Sequence, residues 1–297
     1  HWRIWCGRSI QSHLNDPGVV HGPDGAHGPM LTVLSLGAGV QSSTVALMAA
    51  RGELLPMPDC AIFADTQAEP SAVYRHLAWL RSGVLPFPMH DVTGGDLSAH
   101  VAAERPTGKY LKVDIPAYVQ SPDGSVALIN RSCTRDFKIV PIRRKIRELV
   151  GLTRKRSPKT PIIEQWIGIS LDEASRMKPS RDPWIQMRWP LIEKRMTRRD
   201  CLLWLERNGY PRPPKSACTF CPFHDDSQWR SLTADEFAAA VEVDARLRSR
   251  PPAAYHAKGV LYLHRSCKPL GEVDLSTLED HGQLNFFQNE CEGMCGV

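Results

Sequence analysis

The chain has 297 residues, of which 42% are apolar and 23% are charged, so it can bury a full core and has the composition of a soluble globular protein. No apolar run approaches the roughly 20 residues of a membrane-spanning helix. The first residues do not show the charged and then apolar segments of a secretory signal. We therefore expect a cytoplasmic protein that does not enter a membrane.

The net charge of +5 comes from 37 basic and 32 acidic residues, and the basic residues are unevenly spread. Residues 143–147, 154–156 and 193–199 are densely basic. Such clusters suit a polyanionic partner, which is either the phosphates of a nucleotide or a nucleic acid. Solvated helix faces are the alternative interpretation.

Residues 1–29 are rich in Gly, Pro and His, so we predict a poorly ordered extension before Met30. Residues 31–36 then predict a strand and residues 44–51 a helix. The Gly- and Ser-rich segment 35–43 between them is called the glycine loop below. A strand, a glycine loop and a helix N-terminus together aim backbone N–H groups at phosphate. An ordinary strand-to-helix turn is the alternative.

A second predicted strand, residues 60–64, is followed by Asp65 and Thr66, polar groups at the strand end where open α/β sheets bind ligands. Further helices are predicted at 71–82, 140–150, 198–208 and 234–249, and a third strand at 165–170. The irregular residues 92–131 predict a hairpin with strands at 110–113 and 126–130. The alternation predicts a doubly wound, mostly parallel α/β sheet in residues 30–210. A cysteine-bearing region, residues 211–297, follows it.

Nine cysteines in a cytoplasmic chain are more typical of metal-binding or catalytic thiols than of disulfides. Cys218 and Cys221 have the spacing at which two sulfurs bind one metal or cluster. Cys133 precedes a basic helix, and Cys291 and Cys295 lie near the C-terminus. The pattern leaves open an iron–sulfur cluster, a zinc site with His224 as a further ligand, and a redox dithiol.

Several motifs, in order, resemble the phosphoadenylyl-sulfate and adenylyl-sulfate reductase family of the PP-loop adenine nucleotide α-hydrolase superfamily. The resemblance covers most of residues 31–297. The motifs are SLGAGVQS at 35–42, FADTQAE at 63–69, CTRDFK at 133–138 with Pro141, WIGISLDEASR at 166–176, and PLI with TRRD at 190–200. Gln41 stands where ATP-splitting members of the superfamily carry Asp, a residue that the reductases also tend to lack. The chain departs from the family pattern at Gln67, which replaces a Gly, and at Ser132, which replaces the first residue of a Cys-Cys pair.

The resemblance implies an enzyme of sulfur metabolism that binds an adenine nucleotide (ATP, adenylyl sulfate or its 3′-phosphate), with Mg²⁺ as a further candidate cofactor. The implied nucleotide-binding residues are Ser35, Gly37, Gly39, Gln41, Ser42, Ser43, Asp65 and Thr66. The implied ligands of a 4Fe–4S cluster are Cys133, Cys218 and Cys221. The implied catalytic residues are Arg135, Lys138, Arg176, Cys291 and Cys295.

Three functions stay open at this point. The first is a reductase that forms sulfite and takes electrons from a thioredoxin-like donor. The second is a sulfurtransferase that thiolates a nucleic acid with ATP activation. The third is a nucleic-acid-binding module with a structural zinc at the Cys218–Cys221 pair. We expect the protein to form a homo-oligomer in each case.

Overall fold

The computed structural model of the chain describes residues 30–103, 115–121, 123–129, 131–250, 259–277 and 280. Its strands are β1 (Leu31–Ser35), β2 (Cys60–Asp65), β3 (Met89–Thr93), β4 (Tyr118–Gln120), β5 (Val126–Leu128), β6 (Ile163–Ile167), β7 (Ile185–Arg188) and β8 (Leu261–Tyr262). Its α-helices are α1 (Val40–Ala50), α2 (Ser71–Trp79), α3 (Leu97–Ala102), α4 (Val140–Leu149), α5 (Pro190–Glu193), α6 (Arg198–Arg207), α7 (Asp226–Ser231) and α8 (Ala234–Arg248). None of these described helices is long and apolar enough to cross a bilayer.

The main sheet is parallel throughout, with the strand order β3-β2-β1-β6-β7. Alternate side chains of the central strands pack on opposite faces. Leu34 and Phe63 pack on one face with residues of α1, α2 and α6, while Val33 and Ile62 pack on the other with residues of α4 and β7. Because both faces are covered, the central strands are nearly continuous apolar runs. The predicted α/β fold with a parallel sheet is confirmed.

A smaller antiparallel sheet has the strand order β5-β4-β8. It belongs to a second core, in which described apolar residues between Leu97 and Phe137 pack with others between Phe220 and Leu270, including Trp229 and Leu247. This core therefore contains residues from both sides of the predicted boundary at residue 210.

Three of the differences between the observed and the predicted elements concern the glycine loop and the two sheets. Helix α1 begins at Val40, directly after Gly39, so Gln41, Ser42 and Ser43 lie in its first turn and not in a loop. Strands β3 and β7 were not predicted, because they are the edge strands of the sheet and half of their residues are polar. Strand β5 pairs with β4, at residues 118–120; the other predicted strand of the hairpin, residues 110–113, lies outside the described residues.

Candidate functional site

The main sheet changes direction between β1 and β6. From β1 the chain continues outward to β2 and β3 on one side, and β6 and β7 lie on the other. Parallel sheets of this kind open a crevice at the carboxyl ends of the two strands that flank the change, and ligands bind there. In this chain the two strand ends that flank the change are followed by the glycine loop, after β1, and by Gly168, after β6; the region at these two strand ends is called the crevice below.

The glycine loop is a compact turn with its own internal hydrogen bonds. The backbone N–H of Gly37 donates to Ser42 Oγ over 3.1 Å, and that hydroxyl donates to the carbonyl of Gly39 over 3.4 Å. Gly39 is the N-cap of α1 and makes no side-chain capping bond. The first N–H groups of a helix have no partner within it, so they form an anion site together with the helix dipole.

Gly168 brings β6 directly against this helix start. A Cβ atom at Gly168 would lie 2.7 Å from the backbone nitrogen of Ser42 and 2.8 Å from its Cα. Only glycine allows this approach, because those atoms belong to the backbone and cannot rotate away. The sequence gives Gly168 no signal apart from its place in the WIGISLDEASR motif.

Gln41 connects three segments around the crevice. Its side-chain nitrogen lies 3.3 Å from Glu173 Oε2, and its oxygen accepts a hydrogen bond of 3.1 Å from Arg198. Glu173 is buried and forms an ion pair of 2.7 Å with Arg176. Two guanidinium groups, from Arg176 and Arg198, therefore flank the first turn of α1. Arg198 was not among the predicted site residues, because 157 positions separate it from Gln41.

The side chains of Ser43 and Ser35 form hydrogen bonds with other residues of the fold. The hydroxyl of Ser43 is fully buried and lies 2.9 Å from His76 Nε2 beneath the loop. Burial lowers the pKa of His76 to about 4, so this imidazole is neutral at pH 7. Ser35 Oγ accepts a 2.7 Å hydrogen bond from Gln165 on the adjacent strand. Both serines thus stabilise the frame of the site through their side chains.

The end of β2 lies beside the glycine loop and contains the two polar residues predicted there. Asp65 Oδ1 accepts hydrogen bonds from the Gln67 backbone, 2.7 Å away, and from the Tyr74 hydroxyl, 2.8 Å away. The Thr66 side chain is fully buried, and its oxygen lies 3.3 Å from Cys218 Sγ. The cysteines predicted as ligands are therefore joined to the same edge of the sheet as the glycine loop.

The cysteine turn, residues 218–221, is fixed at that edge by backbone hydrogen bonds. The N–H of Cys221 donates to the carbonyl of Cys218 over 2.9 Å, and the N–H of Thr219 donates to Ala68 over 2.8 Å. Burial, assisted by the nearby Glu69 carboxylate and by Cys133, raises the pKa of Cys218 to about 12. Cys133 and Cys218 both pack against the second core.

Glu69 is the buried charge of this region. Its side chain is 0% exposed and forms an ion pair of 3.1 Å with Lys138, which precedes α4. Thr66 donates to the same carboxylate over 3.4 Å and Ser216 over 3.5 Å. The side chain of Ser216 in turn faces Gly39, so a polar cluster extends from the helix start to the cysteine turn.

The thiols of Cys133, Cys218 and Cys221 lie in one region of the fold, but their described arrangement is not a complete metal site. Within the described part of the chain, no group of three or more His, Cys, Asp and Glu side chains could hold a metal ion. The chemistry of three thiols suits a cluster, but ligation requires Cys133, Cys218 and Cys221 to turn toward one another. His224 is less suited to zinc, since its ring nitrogens lie 2.9 Å from the carbonyl of Cys218 and 3.4 Å from Gln228 Oε1.

The other predicted catalytic residues lie at the rim or beyond the described chain. Arg135 has an exposed side chain and pairs with the adjacent Asp136 over 2.7 Å. Cys291 and Cys295 lie outside the described residues. Ser132 is buried, and its hydroxyl has no hydrogen-bond partner in the described structure.

Comparison of the chain with protein-family models gives no match, and a search of curated proteins finds no significant similarity.

Proposed function

We propose that the protein binds an adenine nucleotide in the crevice and carries out sulfur chemistry with the thiols beside it. One observation carries this proposal: Cys218 Sγ lies 3.3 Å from the side-chain oxygen of Thr66, at the carboxyl edge that also presents the glycine loop. A phosphate or sulfate group bound at the start of α1 would therefore lie in the same region as the thiols.

The residues around the crevice suit the parts of an adenylyl ligand. The backbone N–H of Gly39 and those of the first turn of α1 would bind phosphate or sulfate oxygens, while Gly37 shapes the loop through its bond to Ser42 Oγ. Asp65, at the end of β2, would contact the nucleoside, and the buried Thr66 would hold Cys218 beside that strand end. Arg176 would balance the anionic charge, and we add Arg198 to the predicted set because it flanks the same helix turn.

The cysteines would supply the sulfur chemistry. Cys133, Cys218 and Cys221 would hold a 4Fe–4S cluster, which supplies electrons or carries sulfide when it is bound. Cys291 or Cys295 would act as the attacking thiol, with its sulfur as the nucleophile. A reductase acting on adenylyl sulfate and a sulfurtransferase that uses ATP both fit this arrangement of residues.

The test is anaerobic purification with iron and sulfide quantified, a visible spectrum, and equilibrium dialysis against ATP, adenylyl sulfate and its 3′-phosphate. Wild type is expected to be brown, with about four irons per chain, and to retain at least one of the nucleotides. Cys218→Ala is expected to lose the iron. Cys201→Ala, which removes a buried thiol from the main core, should keep it and serves as the matched control.

The cluster and the nucleotide site can each be contradicted independently of the other. A colourless protein containing one zinc per chain would contradict the cluster. Absence of nucleotide binding at millimolar concentration would contradict the crevice assignment, whatever the metal content.

A further inference from the structure

We propose that the surface formed by the exposed basic side chains of residues 143–160, here called the basic face, binds the phosphate backbone of a nucleic acid and leads it toward the crevice. The binding step does not depend on the proposed function. The two are linked only by the claim that the bound strand reaches the crevice.

The basic face carries more positive charge than the overall composition suggests. Residues 139–160 contain eight basic residues and one acidic residue, Glu148. Their excess of positive charge is larger than the net charge of the whole chain, which is +5. A basic surface of this kind is the electrostatic footprint expected for a polyanion.

Arg147 gives the face a fixed shape. Its guanidinium group donates to the carbonyl of Leu152 over 2.8 Å, to that of Lys155 over 2.6 Å, and to Ser157 Oγ over 2.6 Å. It also lies 5.7 Å from the ring centroid of the buried Trp184. These bonds fold the segment after α4 back against the helix, so the basic side chains of residues 154–156 are held beside those of α4 itself.

Most of these charges are not neutralised within the described structure. Lys145 pairs with Glu148, and Arg143 pairs with Asp182. Five exposed basic residues form no ion pair with any described residue, and their side chains face solvent. They are Arg144, Arg154, Lys155, Arg156 and Lys159.

A second segment connects the basic face to the crevice. The chain leaves the crevice at Arg176 and returns to the start of β7, and the ion pair of Arg143 with Asp182 fastens it to α4. Lys178 and Arg181 are exposed along this segment. The segment runs from the crevice, at Arg176, to the opposite edge of the sheet, where β7 starts. The distance between these two edges is about the length of the five-residue strand β6, or about 17 Å. That is about five nucleotide rises of a duplex.

The surface suits a nucleic acid better than a membrane. Ile139 and Val140 are exposed at the start of α4, but within residues 143–160 no apolar side chain is exposed. Helices that bind lipid surfaces bury a continuous apolar face in the bilayer. None of the exposed side chains of residues 143–160 is aromatic, so this surface cannot stack on nucleic-acid bases. Contacts to phosphates position a strand without reading its sequence, so we expect binding that is insensitive to sequence and strongly dependent on salt.

The test is fluorescence anisotropy with labelled 20-nucleotide single-stranded RNA, single-stranded DNA and duplex DNA, using the full chain at several salt concentrations. Arg154→Glu/Arg156→Glu reverses two charges of the basic face, and Arg75→Glu/Arg246→Glu reverses two exposed charges on α2 and α8. The first variant is expected to bind at least about 10-fold more weakly and with a shallower salt slope. The control should change less than about 3-fold, and thermal melts verify that both fold.

Equal weakening in the two variants, or wild-type binding that does not depend on salt, would overturn the proposal. So would binding to phosphatidylserine vesicles without binding to any of the three nucleic acids. Lys178→Glu/Arg181→Glu tests the connecting segment and should also weaken binding. Because dialysis against ATP measures the crevice separately, a failure of the basic face is distinguishable from a failure of the nucleotide site.

Discussion

Gly168 lies where the end of β6 meets the first turn of α1, and the Gly168→Ala substitution tests that contact. The added methyl group would stand 2.7 Å from the Ser42 nitrogen, so the strand end and the helix must separate. We expect a loss of about 1–3 kcal/mol in the free energy of unfolding, measured by urea denaturation. Weaker nucleotide binding is expected with it, since the N–H groups of the helix start would move.

Gly37→Ala is the matched control for this substitution. The nearest atom to its new methyl group would be Ser42 Oγ at 3.6 Å, an ordinary contact distance. An equal loss of stability at both glycines would show that the close approach at Gly168 is unimportant.

His76 makes the stability of the fold depend on pH. Its pKa is about 4 in the folded protein, against about 6.5 in an unfolded chain, so the unfolded state takes up the proton first. The contribution of neutral, buried His76 to the free energy of unfolding is fully present above pH 6.5 and is lost progressively as the pH falls toward 4. We expect the urea midpoint of wild type to fall between pH 7 and pH 5.

His76→Gln should reduce this fall in the urea midpoint. His224, whose pKa is also lowered to about 4 by burial, accounts for part of the remaining dependence. A fall of the same size in the His76→Gln variant would contradict the assignment.

At the level of elements, the ion pair of Glu69 and Lys138 joins the end of β2 to the segment before α4. Lys138→Met would leave a carboxylate that is 0% exposed without its cation, and we expect it to cost about 3 kcal/mol of unfolding free energy. The double variant Glu69→Gln/Lys138→Met removes both charges and should recover much of that loss. A double-mutant cycle by chemical denaturation measures the coupling, and additive single losses would show that the pair does not act as a unit.

The elements around the crevice differ in how far their sequence predicts them. Strands β1 and β2 and the glycine loop were predicted because a buried parallel strand is a continuous apolar run and the loop is rich in glycine. The start of α1 was misplaced because Gln41, Ser42 and Ser43 are polar, although the fold buries all three. The approach of Arg198 to Gln41 could not be predicted, since a contact across 157 positions depends on the packing of α6 against α1.

At the scale of the molecule, Asp244 stabilises the second core. Its carboxylate is fully buried and accepts hydrogen bonds from the backbone of Leu263 at 2.9 Å and Leu270 at 3.1 Å, and from Arg248 at 2.8 Å. Asp244→Asn presents an amide NH₂ to donors, so at least one of them loses its partner, at a cost of about 1–3 kcal/mol.

Hydrogen exchange distinguishes the two cores in this variant. We expect residues 259–277 to exchange faster in Asp244→Asn while strands β1, β2 and β6 keep their protection. Asp235→Asn, an exposed position in the first turn of the same helix, is the control and should leave both cores unchanged. Faster exchange throughout the main sheet would instead mean that the two cores unfold together.

The uneven distribution of charge also affects how the molecule meets a partner. Because the basic face holds more positive charge than the whole chain has in excess, the remainder is slightly acidic, and the protein has an electric dipole. In the field of a polyanion such a molecule rotates before contact, so productive encounters become more frequent than random collisions. The association rate constant should therefore rise steeply as ionic strength falls, and charge reversal at the basic face should slow association more than it speeds dissociation.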